Sequence, residues 1–302
     1  MGLWQESGAM QRHKFLGEAA EAPEIKLSGI VISMSASPPS YLIVGAGVFG
    51  ASTALHLIQK NPSAIITLVD RTIPCRAGAS WDWSKVVRAD YANIMYMKLA
   101  REAMAIWRSD SLYKPFYHES GLIWVDGKGF VQNVINNYAQ LEAREKVRVV
   151  KAKEVGELYG GMFANAKCND MTEVLLNESS GWAEASKVLE SVIKTAIAGG
   201  VKCVKADITT LLFDDEKYCI GVKTADGRML YAEQIILSTG AGTSKLIADS
   251  APGWKDLQVG NRLTAAALFT GMAKLSDAQA GRYKEGPVFL QAGGQNQGTF
   301  LL

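Results

Sequence analysis

The sequence predicts an α/β fold, a parallel sheet wound with helices and interrupted by inserted material. Three observations carry that expectation. Tyr41–Gly50 reads YLIVGAGVFG, an apolar run that breaks into GxGxxG. After a helix-like stretch, Ile65–Asp70 is a second apolar run closed by an acid. Far downstream, Gln234–Ser238 is another apolar run, and it ends on Thr239-Gly240-Ala241-Gly242. Such runs suit parallel strands buried on both faces.

Strand, glycine turn, helix, strand and acid together make the build of a dinucleotide site. Gly45 permits the tight turn out of the first strand. Gly47 has no side chain to block a pyrophosphate, and Gly50 lets the helix pack close to the strands. The helix N-terminus offers unpaired N–H groups to phosphates. Asp70 stands where a carboxylate accepts from ribose hydroxyls. The same pattern also fits a glycine turn in an α/β core that binds nothing.

Composition narrows the class. The 302 residues suffice for one large domain or two interleaved ones. A net charge of +2 argues against a nucleic-acid surface. No apolar run reaches the length of a membrane span. Cys75, Cys168, Cys203 and Cys219 lack CxxC spacing, which disfavours zinc and points to free thiols in a reducing compartment. His13, His56 and His118 are far apart, and structural roles are expected for His56 and His118.

The remaining elements follow in order. Residues 1–38 are mixed and polar and read as a disordered leader; Met34 suits a start codon, so residues 1–33 are expected to be a gene-model extension or dispensable tail. Leu55 and Ile58 mark the apolar face of the first helix, and Met97, Ala100, Met104 and Trp107 mark a second over 94–107. A strand is expected at 121–125, helices at 130–144 and 152–159, and a helix at 183–198 stopped by Gly199-Gly200. Strands at 201–205 and 208–213 precede a hairpin, 218–224 with 229–232, turned on Asp226-Gly227. A hairpin so late is foreign to a regular βαβ dehydrogenase.

A second motif lies at Ser80–Tyr91, SWDWSKVVRADY, read as a loop leading into a helix. Tryptophans, cations and carboxylates are dense there. Ser80 and backbone N–H groups suit phosphate, a lysine suits a redox ring, and an arginine suits a bidentate carboxylate. An ion-paired surface loop has the same content.

With these segments in hand, the chain resembles the D-amino-acid oxidase superfamily of flavoproteins, on the branch of monomeric sarcosine oxidase, fructosyl amino acid oxidases and fungal saccharopine or pipecolate oxidases. The resemblance rests on VGAGVFGASTALHL, TLVDR, SWDWSKVVRADY, PFYHESGLIWV, GVKCVKADITTL and STGAGTSKL, in the family's order from about residue 40 to 299. It implies a Rossmann-like FAD/NAD(P)-binding domain with an inserted α+β substrate domain, both incomplete at the C-terminus. The implied division is FAD domain at 39–120 and 181–250, substrate domain at 121–180 and 251–302. It also implies FAD held without a covalent tether, since none of the cysteines stands at the tethering position. Gly45, Gly47, Val48, Phe49, Gly50, Asp70, Arg71, Ser80, Ser84, Lys85, Ile208 and Gly240 would surround that cofactor. Lys85 aligns with a basic residue beside the flavin ring, and Arg88 with the arginine that grips a substrate carboxylate. The implied reaction oxidises the C–N bond of an amino acid or N-substituted amino acid, with dioxygen as acceptor and hydrogen peroxide as product.

Departures from the pattern temper this. Gly242 stands where relatives usually carry Trp. The sequence stops in a strand-like segment at 298–302, ahead of a family lysine and a closing glycine segment. Weak FAD retention and aggregation are therefore expected, and a non-catalytic remnant is the alternative; a nicotinamide dehydrogenase fits less well. His118, Glu119 and Trp124 are candidates for lining a substrate pocket or for packing. A cytoplasmic or peroxisomal location is expected.

Overall fold

The computed structural model describes residues 37–126, 129–165, 173–266, 271–292 and 298–300. Its elements run β1 (Ser40–Val44), α1 (Val48–Lys60), β2 (Ile65–Asp70), β3 (Lys85–Val87), α2 (Ile94–Ser109), β4 (Tyr117–His118), β5 (Leu122–Asp126), α3 (Phe130–Gln140), β6 (Val147–Lys151), the single turn α4 (Leu158–Gly161), β7 (Glu173–Asn177), β8 (Gly181–Ala183), α5 (Ala185–Ala198), β9 (Lys202–Lys205), β10 (Ile208–Phe213), β11 (Cys219–Thr224), β12 (Met229–Tyr231), β13 (Gln234–Leu237), α6 (Thr243–Ser250), α7 (Asp277–Tyr283), β14 (Val288–Ala292) and β15 (Gly298–Phe300). Residues 1–36 and Cys168 lie outside the described residues, and so do the expectations that fall on them.

The apolar runs form a parallel sheet in the order β13-β1-β2-β9. Because successive side chains alternate in direction, each strand serves two layers. Ile43, Ile66 and Leu68 face helices α1 and α5, which bring Ala51, Ala54, Leu55, Ile58, Val192 and Ile193. Leu42, Val44 and Val69 face the antiparallel sheet β10-β11-β12 and α6, meeting Leu211, Val222 and Leu246. Small residues at Ala51 and Ala54 set α1 close to the sheet; each fully buried Leu or Ile contributes about 1.5–3 kcal/mol. Helix α5 ends where expected: Gly200 takes φ +112°, and Val201 N–H returns to the Ala196 carbonyl at 3.1 Å. The late hairpin also stands, with Gly227 at φ +86°.

A second, five-stranded sheet has the order β15-β14-β5-β7-β6, drawn from residues 122–177 and 288–300. A small sheet, β3-β8-β4, lies in neither.

Several expectations need correction here. Lys85–Val87 is strand β3, paired with β8, where the sequence reads as loop. The helix expected from residue 183 starts at Ala185, because Gly181–Ala183 pair with both β3 and β4. The helix at 130–144 stops at Gln140, with Glu142 at φ +48° turning the chain toward β6. Residues 152–157 form a 3-10 helix, and Tyr159 and Gly160 are left-handed. Strands β6, β7 and β14 have no forecast in the sequence pattern.

Candidate active site

The two glycine turns leave neighbouring parallel strands side by side. Ser238 N–H donates to the Val44 carbonyl at 2.8 Å, and a Cβ on Gly45 would collide with the Ser238 carbonyl. Gly45 itself is at φ +108°, a conformation that favours glycine. A Cβ on Gly50 would overlap the Gly45 carbonyl oxygen, so the start of α1 lies against the turn. Gly47 differs: a Cβ there would meet only the Ser80 side chain, with Oγ at 3.1 Å. The fold thus requires glycine at 45 and 50, whereas beside Gly47 stands only the Ser80 side chain. That cradle fits a nucleotide diphosphate.

Asp70 lies at the end of β2 and accepts from the Ala46 amide at 2.7 Å through Oδ2. Cys75 closes the same turn from outside, its amide donating to the Ala46 carbonyl at 3.2 Å. Burial pushes the Cys75 thiol up, and the Asp70 carboxylate pushes it the same way. Ser80 Oγ accepts from the Val48 amide at 2.9 Å, so the first amide of α1 already has a partner. Val48 and Phe49 are exposed at the mouth of the turn, Phe49 by 79%. Arg71 is exposed, 3.9 Å from Asp207. Ile208 opens β10 and packs into the layer beneath the sheet. Gly240 is at φ +54° and starts a 3-10 turn whose carbonyl is capped by Thr243 Oγ1 at 2.8 Å.

The SWDWSKVVRADY segment runs from solvent into the core: Trp83 is exposed, Lys85–Val87 form β3, and Ala89 and Asp90 are buried. Ser84 is half-buried, and Lys85 Nζ holds Asp82 Oδ2 at 2.7 Å. The Asp82 carbonyl accepts from Ser186 N–H at 2.9 Å, tying the segment to the start of α5. The Arg88 guanidinium lies over two rings, 4.3 Å from the centroids of both Tyr91 and Trp124, and its Nη1 donates to the Asp90 carbonyl. Burial draws the Arg88 pKa down, opposed by Tyr91, Asp90 and Tyr138. Trp124 in turn packs on Phe130 at 4.2 Å. Contact with aromatic faces and with the Asp90 carbonyl restrains this cation in position.

Asp90 is fully buried and was given no role by the sequence pattern. Its carboxylate accepts from Asn177 Nδ2 at 2.7 Å, Ser180 Oγ at 2.9 Å and Tyr138 OH at 3.1 Å. Burial raises its pKa, against the pull of Asn177, Ser180, Arg88 and Tyr138. The only sequence signal is a carboxylate two residues past the arginine; its partners lie 48 to 90 residues away.

His118 stands apart from this group. It stacks on Trp182 at 4.2 Å and meets Glu184 Oε1 at 3.2 Å. Lys187 also binds Glu184 and, as the largest influence, pulls its carboxyl below the usual range. Glu119 pairs with Arg108 at 2.5 Å. Of the expected pocket candidates, Trp124 touches Arg88. Among the described residues no helix is long and apolar enough to cross a membrane.

Known proteins share this sequence pattern and this fold. The chain is 27% identical over 264 residues to L-saccharopine oxidase of Schizosaccharomyces pombe, covering 82% of this chain and 59% of that protein. It is 27% identical over 251 residues to amino acid oxidase fsqB of Aspergillus fumigatus, covering 70% and 50%. The chain therefore spans between half and three-fifths of these relatives' lengths. Among solved structures, fructosamine oxidase (Amadoriase II) of Aspergillus fumigatus in complex with FSA has the same fold, with TM-score 0.64, 22% identity, and coverage of 85% of this chain and 59% of that one. A thermally stable mutant of fructosyl peptide oxidase superposes similarly, with TM-score 0.66, 22% identity, and coverage of 85% and 60%. The family model for the DAO FAD dependent oxidoreductases matches residues 40–277, from the first strand through the second glycine turn to the start of α7, and the chain belongs to that family.

Proposed function

We propose that this chain carries the FAD cradle and the substrate-carboxylate anchor of an oxidase acting on the C–N bond of an amino acid or N-substituted amino acid, of the sarcosine, pipecolate, saccharopine or fructosyl amino acid type. Dioxygen is the acceptor and hydrogen peroxide the product. The observation that carries this reading is Arg88, its guanidinium 4.3 Å from the centroids of both the Tyr91 and Trp124 rings and its Nη1 on the Asp90 carbonyl, a cation held in place as a carboxylate anchor would be. The kinship with saccharopine oxidase and amino acid oxidases supports the substrate class.

In this reading, backbone around Gly45, Gly47 and Gly50 takes the diphosphate without a covalent tether. Val48, Phe49, Ser80 and Ser84 line its approach. Asp70, with Arg71 beside it, takes the ribose, while Ile208 and Gly240 support the cofactor from β10 and the second glycine turn. The strands of the parallel sheet support FAD segments at 39–120 and 181–250, and the five-stranded sheet supports substrate segments at 121–180 and 251–302.

A bound FAD would supply the two-electron redox chemistry between substrate and dioxygen. The protein's residues orient and polarise. Arg88 grips the substrate carboxylate and so fixes the reacting carbon, an entropic contribution to rate. Lys85, steadied by Asp82, places a positive charge where negative charge develops during turnover.

The test is direct. The purified full chain is examined for flavin released by acid, then for peroxide formation with sarcosine, pipecolate, saccharopine and fructosyl amino acids. Acid-released flavin and peroxide from one of these classes are expected. Arg88→Lys should then raise KM for that substrate by about tenfold or more, the scale of one charged hydrogen bond. A colourless protein that takes up no FAD would overturn the reading.

A further inference from the structure

We infer that Asp90 is the positioning residue for Arg88: its buried carboxylate pins, from the second sheet, the backbone whose carbonyl holds the guanidinium. This rests on the role proposed above for Arg88.

The two ends of Asp90 face different partners. Its main-chain carbonyl accepts from Arg88 Nη1. Its side chain accepts from Asn177 at the end of β7, Ser180 in the β7–β8 turn and Tyr138 on α3. Asn177 Nδ2 also donates to Tyr138 OH at 3.1 Å, so the donors are themselves linked. The neighbouring backbone is held by the same helix: Asn137 Nδ2 donates to the carbonyls of Tyr91 at 3.0 Å and Ala92 at 2.9 Å. Residues 90–92 are therefore fastened from α3, β7 and the turn after it.

An arginine's guanidinium is a rigid fork, but the rotatable bonds behind it let its orientation wander. Contact with the Tyr91 and Trp124 rings confines the guanidinium but is non-directional. The Asp90 carbonyl supplies a directional hydrogen bond. A carbonyl performs that task only if its own peptide is immobile, and the buried carboxylate immobilises it. A buried ionisable group is costly to maintain unless it is hydrogen-bonded, and with three donors Asp90 keeps two when any one of them is removed. Packing alone at this site would be met by an apolar residue. The anchoring of a cation one bond network away gives the carboxylate its purpose.

The experiment uses the FAD-loaded full chain. Phenylglyoxal labelling of each arginine is followed by peptide mass spectrometry in the wild type and in Asp90→Asn, Ser180→Ala and Tyr138→Phe. The single-donor variants, Ser180→Ala and Tyr138→Phe, keep the proposal testable if Asp90→Asn fails to fold. Labelling at Arg88 is expected to rise by about threefold or more in each folded variant, as expected when a restraint of about one hydrogen bond is lost, while exposed Arg228 stays unchanged as the internal control. Unchanged Arg88 labelling in the folded variants overturns the proposal, and so does an equal rise at Arg228, which would mark general loosening.

The second readout is kinetic. With the carboxylate substrate found above, the variants should show KM raised by about tenfold with kcat retained, the signature of weakened anchoring. A loss confined to kcat, or to flavin content, overturns it. The two readings fail separately. If Arg88→Lys leaves KM unchanged, the carboxylate role of Arg88 falls; if Arg88→Lys raises KM but the Asp90-network variants change neither labelling nor KM, only the inference about Asp90 falls.

Discussion

The Asp70 carboxylate accepts the Ala46 amide at 2.7 Å, which joins the end of β2 to the glycine turn leaving β1. The acid proposed to meet a ribose thus also braces the loop proposed to meet the diphosphate. Asp70→Ala removes both actions. Loss of a hydrogen bond to a charged group costs about 1.5–3 kcal/mol, so the apo protein should melt earlier. The added stabilisation by saturating FAD, which follows from mass action, should also shrink. Asp70→Asn keeps an acceptor for Ala46 and should restore much of the apo stability without restoring FAD affinity. Thermal melts of both variants, each with and without FAD, check this.

The glycines of the first turn predict opposite outcomes. Gly50→Ala should abolish soluble folded protein, because its Cβ would overlap the Gly45 backbone carbonyl and no side chain can swing aside. Gly47→Ala should fold, since its Cβ meets only Ser80, at 3.1 Å from Oγ. That methyl would nonetheless occupy the approach to the turn, and FAD retention should fall by about tenfold or more, as when close backbone approach to a ligand is blocked. Expression yield and circular dichroism report the first effect, and flavin titration the second.

The contrast shows what is legible in a sequence. The first turn and its acid are local, spaced within one βαβ unit, and Gly45 through Asp70 could be read in place. So could the stop of α5 and the Asp226-Gly227 hairpin, because glycine chemistry is local. The small sheet could not. Lys85–Val87 is a three-residue strand whose partner lies at Gly181–Ala183. Short strands owe their form to distant pairing rather than to their own residues. The Asp90 network was invisible for the same reason: its donors come from α3, β7 and the turn after β7.

Lys85 predicts a kinetic separation. Its Nζ is bound to Asp82 at 2.7 Å, and its side chain is half exposed. Replacing an exposed ion pair changes stability little, so Lys85→Met should melt within a few degrees of the wild type, by about 3 °C or less. If the ammonium acts on developing negative charge, turnover should nevertheless drop by about a hundredfold. Stopped-flow measurement of substrate-driven reduction and oxygen-driven reoxidation locates the affected half. An unchanged rate in both halves removes Lys85 from the chemistry.

Glu184 predicts the acid limb of stability. It precedes α5 and receives both Lys187 and His118, and the Lys187 hydrogen bond leads in drawing its carboxyl below the ordinary range. A carboxyl with a lower pKa in the folded than in the unfolded chain favours folding when ionised. Its contribution is therefore complete above the unfolded value, near pH 4, and is lost as pH falls through the lower folded value. Glu184→Gln removes the contribution at every pH. The melting temperatures of wild type and variant should differ at neutral pH, by about 3 °C at most for a partly exposed pair, and should converge in acid below the ordinary carboxylate range. Melts across a pH series decide it. A gap that persists at the acid end would assign the effect to the packing of Glu184 against β4 and α5 and remove its charge from the account.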